Sequence, residues 1–327
     1  VVRQPRVPPP SVDEQLAALE LLPSERSARV PALTAYLAER HYRVVAKAAR
    51  LAENALLYEL VPALVAAFGR FLHKPLKTDP NCLAKKAIAR ALVALDCADT
   101  EFFSSGLRYR QLEPVWGGTT DTAVDVRVSC AMGLVASGYP RALVELTALL
   151  NDAQAEARAG AVRAIACGNP REAELLLRCK ALAGDSEPRV LADCFAGLLL
   201  VAPEESLAFV AGYLQHADEA VRELAALALG ESRHDGVLAH LKEAWNGVLL
   251  SETFRRTLLR AAAAHRSEAA VDWLLEIVAE ARPAIVLEVI EALALYKHNA
   301  KLAQRLERAL GERKEAALRD RFAALWR

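Results

Sequence analysis

No two of the six cysteines form a C-x-x-C pair, and no two of the seven histidines stand three or four residues apart. Metal sites carried on helices need such spacings, so no metal site and no cofactor are expected. The sequence also lacks G-x-S-x-G, a P-loop and G-x-G-x-x-G, which removes the motif-borne nucleophile elbow and phosphate cradles. Aromatic residues make up 6% of the chain, and glycine and proline number 15 each in 327 residues. That composition is poor in strand formers and favours helix. An excess of charge is absent too: 41 basic residues balance 41 acidic ones. Proteins that live on nucleic acid carry a basic surplus, so nucleic acid is not the expected partner. The longest apolar stretch, 55–68, is interrupted by Glu59 and Pro62 and is shorter than the roughly 20 residues a membrane helix needs. No membrane association is expected. Cys130, Cys167 and Cys194 lie on or beside apolar helix faces, where thiols behave as small hydrophobes. All six cysteines are read as reduced, and the location as cytoplasmic.

What the sequence does have is a repeat. The stretch VRELAALALG, residues 221–230, places Val221, Leu224, Ala225, Ala228 and Leu229 on one helical face. Its alanines let a neighbouring helix come close. So short a helix is marginal alone in water and must belong to something larger. Its arginine slot recurs at Arg127, Arg158, Arg189, Arg222 and Arg255, is filled by Val286, and returns at Arg319. The steps are 31, 31, 33, 33, 31 and 33 residues. Each slot follows a second apolar helix and a turn marked by breakers such as Gly138, Pro140, Gly168, Pro170, Gly184 and Pro203. Asp152, Asp185 and Asp218 recur at 33 residues in the loop before the slot. Asp218 is the expected N-cap of its helix and a partner for Arg222. Fixed periods of about 20–50 residues mark stacked repeats that bury a shared core. The expected fold is all-α, an α-solenoid of about nine stacked antiparallel helix pairs.

The loop aspartate, the V-R dipeptide and the A-A-x-A-L run resemble HEAT repeats, and the short period is most similar to the HEAT-like repeats first associated with phycobilisome lyases. The resemblance runs from about Glu25 to the end of the chain. It implies the solenoid fold and leaves the function open, since such repeats serve many tasks. Iron-binding hydroxylases built on HEAT-like repeats carry His-Glu pairs, whereas no histidine here is followed by glutamate.

Two parts depart from the period. Residues 1–12 hold Pro5, Pro8, Pro9 and Pro10 and are expected to be an extended, flexible lead-in. The chain starts at Val1, which leaves room for a preceding segment. A single solenoid is expected over 13–327. In its first half the slot sits at Arg43 and Ala84, with steps of 41 and 43 residues up to Arg127. The second of these long steps contains a non-repeat insert at about 97–121, CADTEFFSSGLRYRQLEPVWGGTTD. Residues 70–110 around its start carry eight basic and four acidic side chains.

The candidate binding residues are Arg108, Tyr109, Arg110, Gln111, Glu113 and Trp116. As a structural plug, the insert would bury its aromatics between neighbouring repeats. As a recognition loop, it would offer the aromatic and arginine mixture typical of interface hot spots. Packing is the expectation for Trp116 and partner contact the expectation for Arg110. No catalytic residue is nominated. The preferred function is a non-catalytic scaffold or adaptor that holds a protein partner on its concave surface or on the insert. The alternative implied by the resemblance is a catalytic HEAT-like protein, either bilin-lyase-like or DNA-glycosylase-like, the latter through Trp116, Asp121 and the basic segment.

Overall fold

The protein is described over residues 10–247 and 249–326 in a computed structural model. The lead-in prolines Pro5, Pro8 and Pro9 lie outside the described residues. The chain divides into two compact units, 1–169 and 170–327, each of them a solenoid stack of helices, with one short hairpin added in the first.

The first unit opens with α1 (Val12–Glu20), which Ser11 and Glu14 close with a reciprocal capping box. One row of helices then comprises α2 (Arg26–Leu37), α4 (Val61–Phe71), α7 (Thr100–Leu107) and α9 (Ala142–Leu149). The other row comprises α3 (Tyr42–Asn54), α6 (Leu83–Ala94), α8 (Val124–Ala136) and α10 (Ala155–Ile165). A single turn, α5 (Pro75–Thr78), lies between α4 and α6. Successive members of the second row pack on one another, and each packs on its partner in the first row. The core between the rows is alanine and leucine. Ala48, Ala49, Ala84, Ala89, Ala131 and Ala161 are buried, as are Leu33, Leu64, Phe103 and Leu146.

The second unit repeats this plan. Its first row is α11 (Pro170–Ala183), α13 (Pro203–Gly212), α15 (Val237–Trp245), α17 (Glu268–Glu280) and α19 (Ala300–Gly311). Its second row is α12 (Pro188–Val201), α14 (Glu219–Ser232), α16 (Glu252–His265), α18 (Pro283–Leu293) and α20 (Ala316–Trp326). Residues 221–230 lie in α14, between α12 and α16. Here Ala225, Ala226 and Leu229 are buried, and the backbones come so close that Gly230 abuts the main chain of Ala261.

The arginine slot has a mechanical meaning. Each slot residue lies in the first turn of a second-row helix, with Val286 filling it in α18. Arg158 Nη1 donates to Asp152 O at 2.9 Å, and Arg222 Nη1 donates to His216 O at 2.8 Å. Arg319 Nη1 makes the same bond to Arg313 O at 3.4 Å. In all three the guanidinium reaches six residues back and ties down the preceding turn. Arg222 thus serves loop carbonyls and Glu219, at 3.2 Å, rather than Asp218. The loop aspartates do a separate task. Asp152, Asp185 and Asp218 each accept the backbone N–H two residues on, at 2.9 Å. For Asp218 this is an N-cap, as expected.

Hydrogen bonds also cross from repeat to repeat at the sequence period. Thr257 Oγ1 donates to Glu223 at 2.8 Å, Arg255 to Glu288 at 2.7 Å and Tyr296 Oη to Ala263 O at 2.6 Å. Of the cysteines expected on apolar faces, Cys130 and Cys194 are buried, whereas Cys167 is exposed. It follows the last turn of α10, where the chain leaves the core.

Candidate functional site

The two long steps of the first unit correspond to two chain expansions, and these meet. The first is the connection from α4 to α6, through α5. Lys74, Asn81 and Cys82 adopt left-handed backbone there, with φ of 50°, 59° and 50°, a conformation uncommon outside glycine and asparagine. The second follows α7. It is a two-stranded antiparallel hairpin, β1 (Leu112–Val115) with β2 (Gly118–Asp121), in the register Leu112↔Asp121 to Val115↔Gly118. Its two-residue turn is Trp116-Gly117, and Gly117 takes φ +83°, where a side chain would be strained. The segment set apart as 97–121 therefore contains a repeat helix, α7, and only the residues after it leave the solenoid pattern.

Asp79 anchors the meeting point. Its buried carboxylate accepts the N–H groups of Ala84 and Lys85 at 2.7 and 3.0 Å, which caps α6. It also takes the ammonium of Lys85 at 2.9 Å. Lys85 is fully buried, donates to Phe71 O at 3.3 Å and lies over the Tyr109 ring. The hairpin docks onto this turn through two of its own side chains. Gln111 Nε2 donates to Asp79 O at 3.0 Å and to Glu113 Oε1 at 2.7 Å. The same Glu113 oxygen accepts Asn81 N–H at 2.6 Å and Thr122 Oγ1 at 2.8 Å. Tyr109 Oη donates to Gln111 Oε1 at 2.8 Å.

A second cluster holds the hairpin's base. Arg127, fully buried on α8, lies 2.7 Å from Asp121 and 3.2 Å from Asp152, and donates to Tyr109 O at 3.0 Å. Arg110 bridges the same two carboxylates, at 3.3 Å to Asp121 and 2.8 Å to Asp152. Arg108 pairs with Glu145.

The electrostatics follow from these partners. Burial pushes Glu113 upward, but the bonds from Thr122, Gln111 and Asn81 outweigh it and hold the carboxyl below its ordinary range. Burial likewise acts on Asp121 and is overcome by Ala123 and Gln111 N–H and by Arg127. For Asp152 the opposing groups are Arg110, Gln154 N–H and Arg127. Burial raises the Cys82 thiol to about 11 and raises Tyr109 as well. Both stay protonated near neutrality. A protonated thiol is a poor nucleophile, and the ammonium of Lys85 is already paired. The cluster holds the hairpin in place.

The nominated residues therefore separate. Tyr109, Gln111 and Glu113 face inward as part of the latch. Arg110, expected to face a partner, is engaged by Asp121 and Asp152. Trp116, expected to pack between repeats, stands fully exposed at the hairpin tip, with 103% relative exposure. The reason is the strand pairing. Once Gln111 and Glu113 point into the latch, the turn lies at the far end, away from the repeats. Two residues were not singled out from sequence. Leu112 and Val115 are exposed on β1, and the signal for them was Gly117-Gly118 followed by the β-branched Thr119 and Thr120. Beside the hairpin base an open groove of about 410 Å³ is lined by Leu107, Arg108, Arg110, Val144, Glu145 and Ala148, among others. Asp121, which a glycosylase-like reading would employ, is held by two guanidiniums. Among the described residues no group of three or more His, Cys, Asp or Glu side chains is placed to hold a metal, and no helix is long and apolar enough to cross a membrane.

The model of the HEAT repeats matches residues 175–247, so the HEAT resemblance read from the sequence holds there. No curated protein matches the chain. Among solved structures, the complex of CpcE and CpcF of phycocyanin lyase from Nostoc is similar at 15% identity, over 80% of this chain and 94% of that one, with a TM-score of 0.38. Human deoxyhypusine hydroxylase in complex with glycerol is similar at 17% identity, over 84% and 98%, with a TM-score of 0.32. An engineered protein is similar at 18% identity, over 95% and 93%, with a TM-score of 0.37.

Proposed function

We propose that this chain, with HEAT repeats at 175–247, is a non-catalytic scaffold that binds a protein partner through the hairpin 112–121. The observation that carries the reading is Trp116, an indole fully exposed at the tip of a hairpin whose base is locked by buried polar groups. Tryptophan is the residue most enriched among interface anchors. A surface that is rigid before binding loses less entropy when it docks. Leu112 and Val115 extend the apolar area along the strand. The groove beside Arg108 and Arg110 offers a polar rim with the half-exposed Val144 in it, the usual layout around an apolar anchor.

The test is affinity capture from the native source with the wild-type protein and with Trp116→Ala, read by mass spectrometry. The variant is expected to melt at the wild-type temperature, because its side chain packs on nothing. A partner held by the wild type should be lost, with affinity reduced by roughly 2 kcal/mol or more. Crosslinks from that partner should fall on 112–121. Identical retention by both proteins would overturn the reading.

A further inference from the structure

The second unit carries a groove that the hairpin reading does not use. Helices α16 and α18 lie side by side and parallel, because their cross-contacts keep one offset: Arg255 meets Glu288 and Ala263 meets Tyr296, each 33 residues apart. Between them runs an open groove of about 730 Å³.

Its charges are unequally paired. Arg255 and Arg256 both bind Glu288, at 2.7 and 3.0 Å. Arg256 also pairs with Glu252, and Arg321 binds Glu291 at 2.6 Å. The three carboxylates of the groove are thus occupied by guanidiniums from within the fold. Arg260 and Arg282, which also line the groove, are exposed, and their side chains have no hydrogen bond or ion pair among the described residues. Five arginines face three glutamates, in a chain whose total charge is zero. The positive surplus sits on the two arginines that are left without partners. The half-exposed Ile285 and Leu287 lie on the α18 wall.

The spacing is informative. With a constant offset of 33, Arg260 lies level with position 293 and Arg282 with position 249. At about 1.5 Å per helical residue, the two lie roughly 16 Å apart along the groove. An extended peptide covers about 3.3 Å per residue, so it spans that distance in about five residues. The glutamates already present disfavour a continuous polyanion, which would set a phosphate against each of them. Two separate carboxylates with apolar residues between them match the arrangement. Carboxylates bind guanidinium bidentately, and aliphatic side chains can cover Ile285 and Leu287.

We propose that the α16–α18 groove binds an extended acidic peptide segment, with Arg260 and Arg282 each taking one carboxylate. This proposal is independent of the hairpin reading, and either can fail alone.

The experiment is fluorescence anisotropy of the full chain with a series of labelled nonapeptides. Each carries two glutamates at a systematically varied separation in a leucine-containing background, with a glutamine counterpart for each. Saturable binding is expected for the glutamate peptides, strongest near a five-residue separation. It should weaken roughly tenfold for each of Arg260→Gln and Arg282→Gln and fall with added salt. Both variants should melt as the wild type does, since neither side chain has a partner to lose. Trp116→Ala should bind the peptides unchanged. The proposal is overturned if no glutamate peptide binds better than its glutamine counterpart, or if the double variant binds as well as the wild type. It is equally overturned if a single-stranded oligonucleotide binds this groove in preference to the peptides.

Discussion

Arg127 Nη1 lies 2.7 Å from Asp121 Oδ2, and neither side chain has meaningful access to water. One residue is the slot arginine of a repeat helix, and the other closes the hairpin that presents Trp116. The pair therefore joins the regular part of the fold to its one β element among the described residues. Removing one partner of a buried ion pair costs about 3–5 kcal/mol, because the other charge is left uncompensated. Arg127→Met removes the buried partner of both Asp121 and Asp152 and leaves only the half-exposed Arg110 to face them. Urea unfolding should show a loss in that range. A loss below about 1 kcal/mol would mean that water or Arg110 takes over the charges.

The same carboxylates set an acid limit. Asp121, Asp152 and Glu113 all titrate below their ordinary values in the folded protein. In the unfolded chain, aspartate and glutamate titrate near 3.9 and 4.3. The folded state therefore binds fewer protons, and its stabilisation is complete above about pH 5. It is lost as the pH falls below about 4, through the depressed folded values. The urea midpoint should be flat between pH 7 and 5 and then drop. With Arg127→Met the drop should persist and be only slightly shallower, since backbone N–H groups hold Asp121 down and Arg110 and Gln154 N–H hold Asp152 down, and Glu113 does not depend on Arg127. A midpoint that increases on acidification contradicts the assignment.

The recurring loop aspartate has a smaller, local role. Asp218 accepts Ala220 N–H and caps α14, while Arg222 donates to the His216 and Ala217 carbonyls and to Glu219. Asp218→Ala should cost about 1 kcal/mol, the usual value for a lost cap, without an added ion-pair loss. Thermal unfolding checks this, and an unchanged midpoint would make Asp218 a solvated loop residue.

The slot arginines, Asp218 and the hairpin show what the sequence could and could not disclose. The period gave the repeat, because every second-row helix must present the same small face to its neighbours, and at Arg158, Arg222 and Arg319 the slot arginine meets the same turn. The cap at Asp218 is local chemistry and was legible for that reason. The partner of Arg222 was not, since a carboxylate four residues back and a carbonyl six back look equally near along the chain. The hairpin site was hidden more deeply. The insert stood out as a break in the period, but residues 74–82 did not, and the structural role of Gln111 and Glu113 exists only where Asp79 and Asn81 meet them. The exposure of Trp116 follows from that long-range docking, so its own composition pointed the wrong way.

Thiol reactivity should divide along the same inside–outside line. Burial raises Cys82 to about 11 and Cys130 and Cys194 to about 12, and Cys97 is also raised and buried. Cys167 and Cys179 are exposed. Alkylation requires the thiolate and access. Iodoacetamide at pH 7.5 should therefore label Cys167 and Cys179 in the native protein and all six cysteines once it is unfolded. Peptide mass spectrometry reads the result. Native labelling of Cys82 would mean that the hairpin opens from its latch.

Two glycine substitutions separate helix propensity from helix packing. Gly69 lies exposed on α4, and a Cβ there would meet nothing within 4 Å. Gly69→Ala should stabilise by roughly 0.5–1 kcal/mol, because alanine is the better helix former and restricts the unfolded chain. Gly230 lies on α14 with the same propensity in its favour, but its Cβ would fall 2.2 Å from Ala261 O and 2.7 Å from Ala261 Cα. Those atoms are backbone of α16 and cannot rotate away, so the two helices must separate along the row. Overpacking of this kind costs roughly 1–3 kcal/mol, which outweighs the propensity gain of under about 1 kcal/mol. Gly230→Ala should lower the urea midpoint while Gly69→Ala raises it. If both raise it, the rows of the second unit are looser than this contact implies, and small side chains in the VRELAALALG stretch reflect helix propensity rather than close packing.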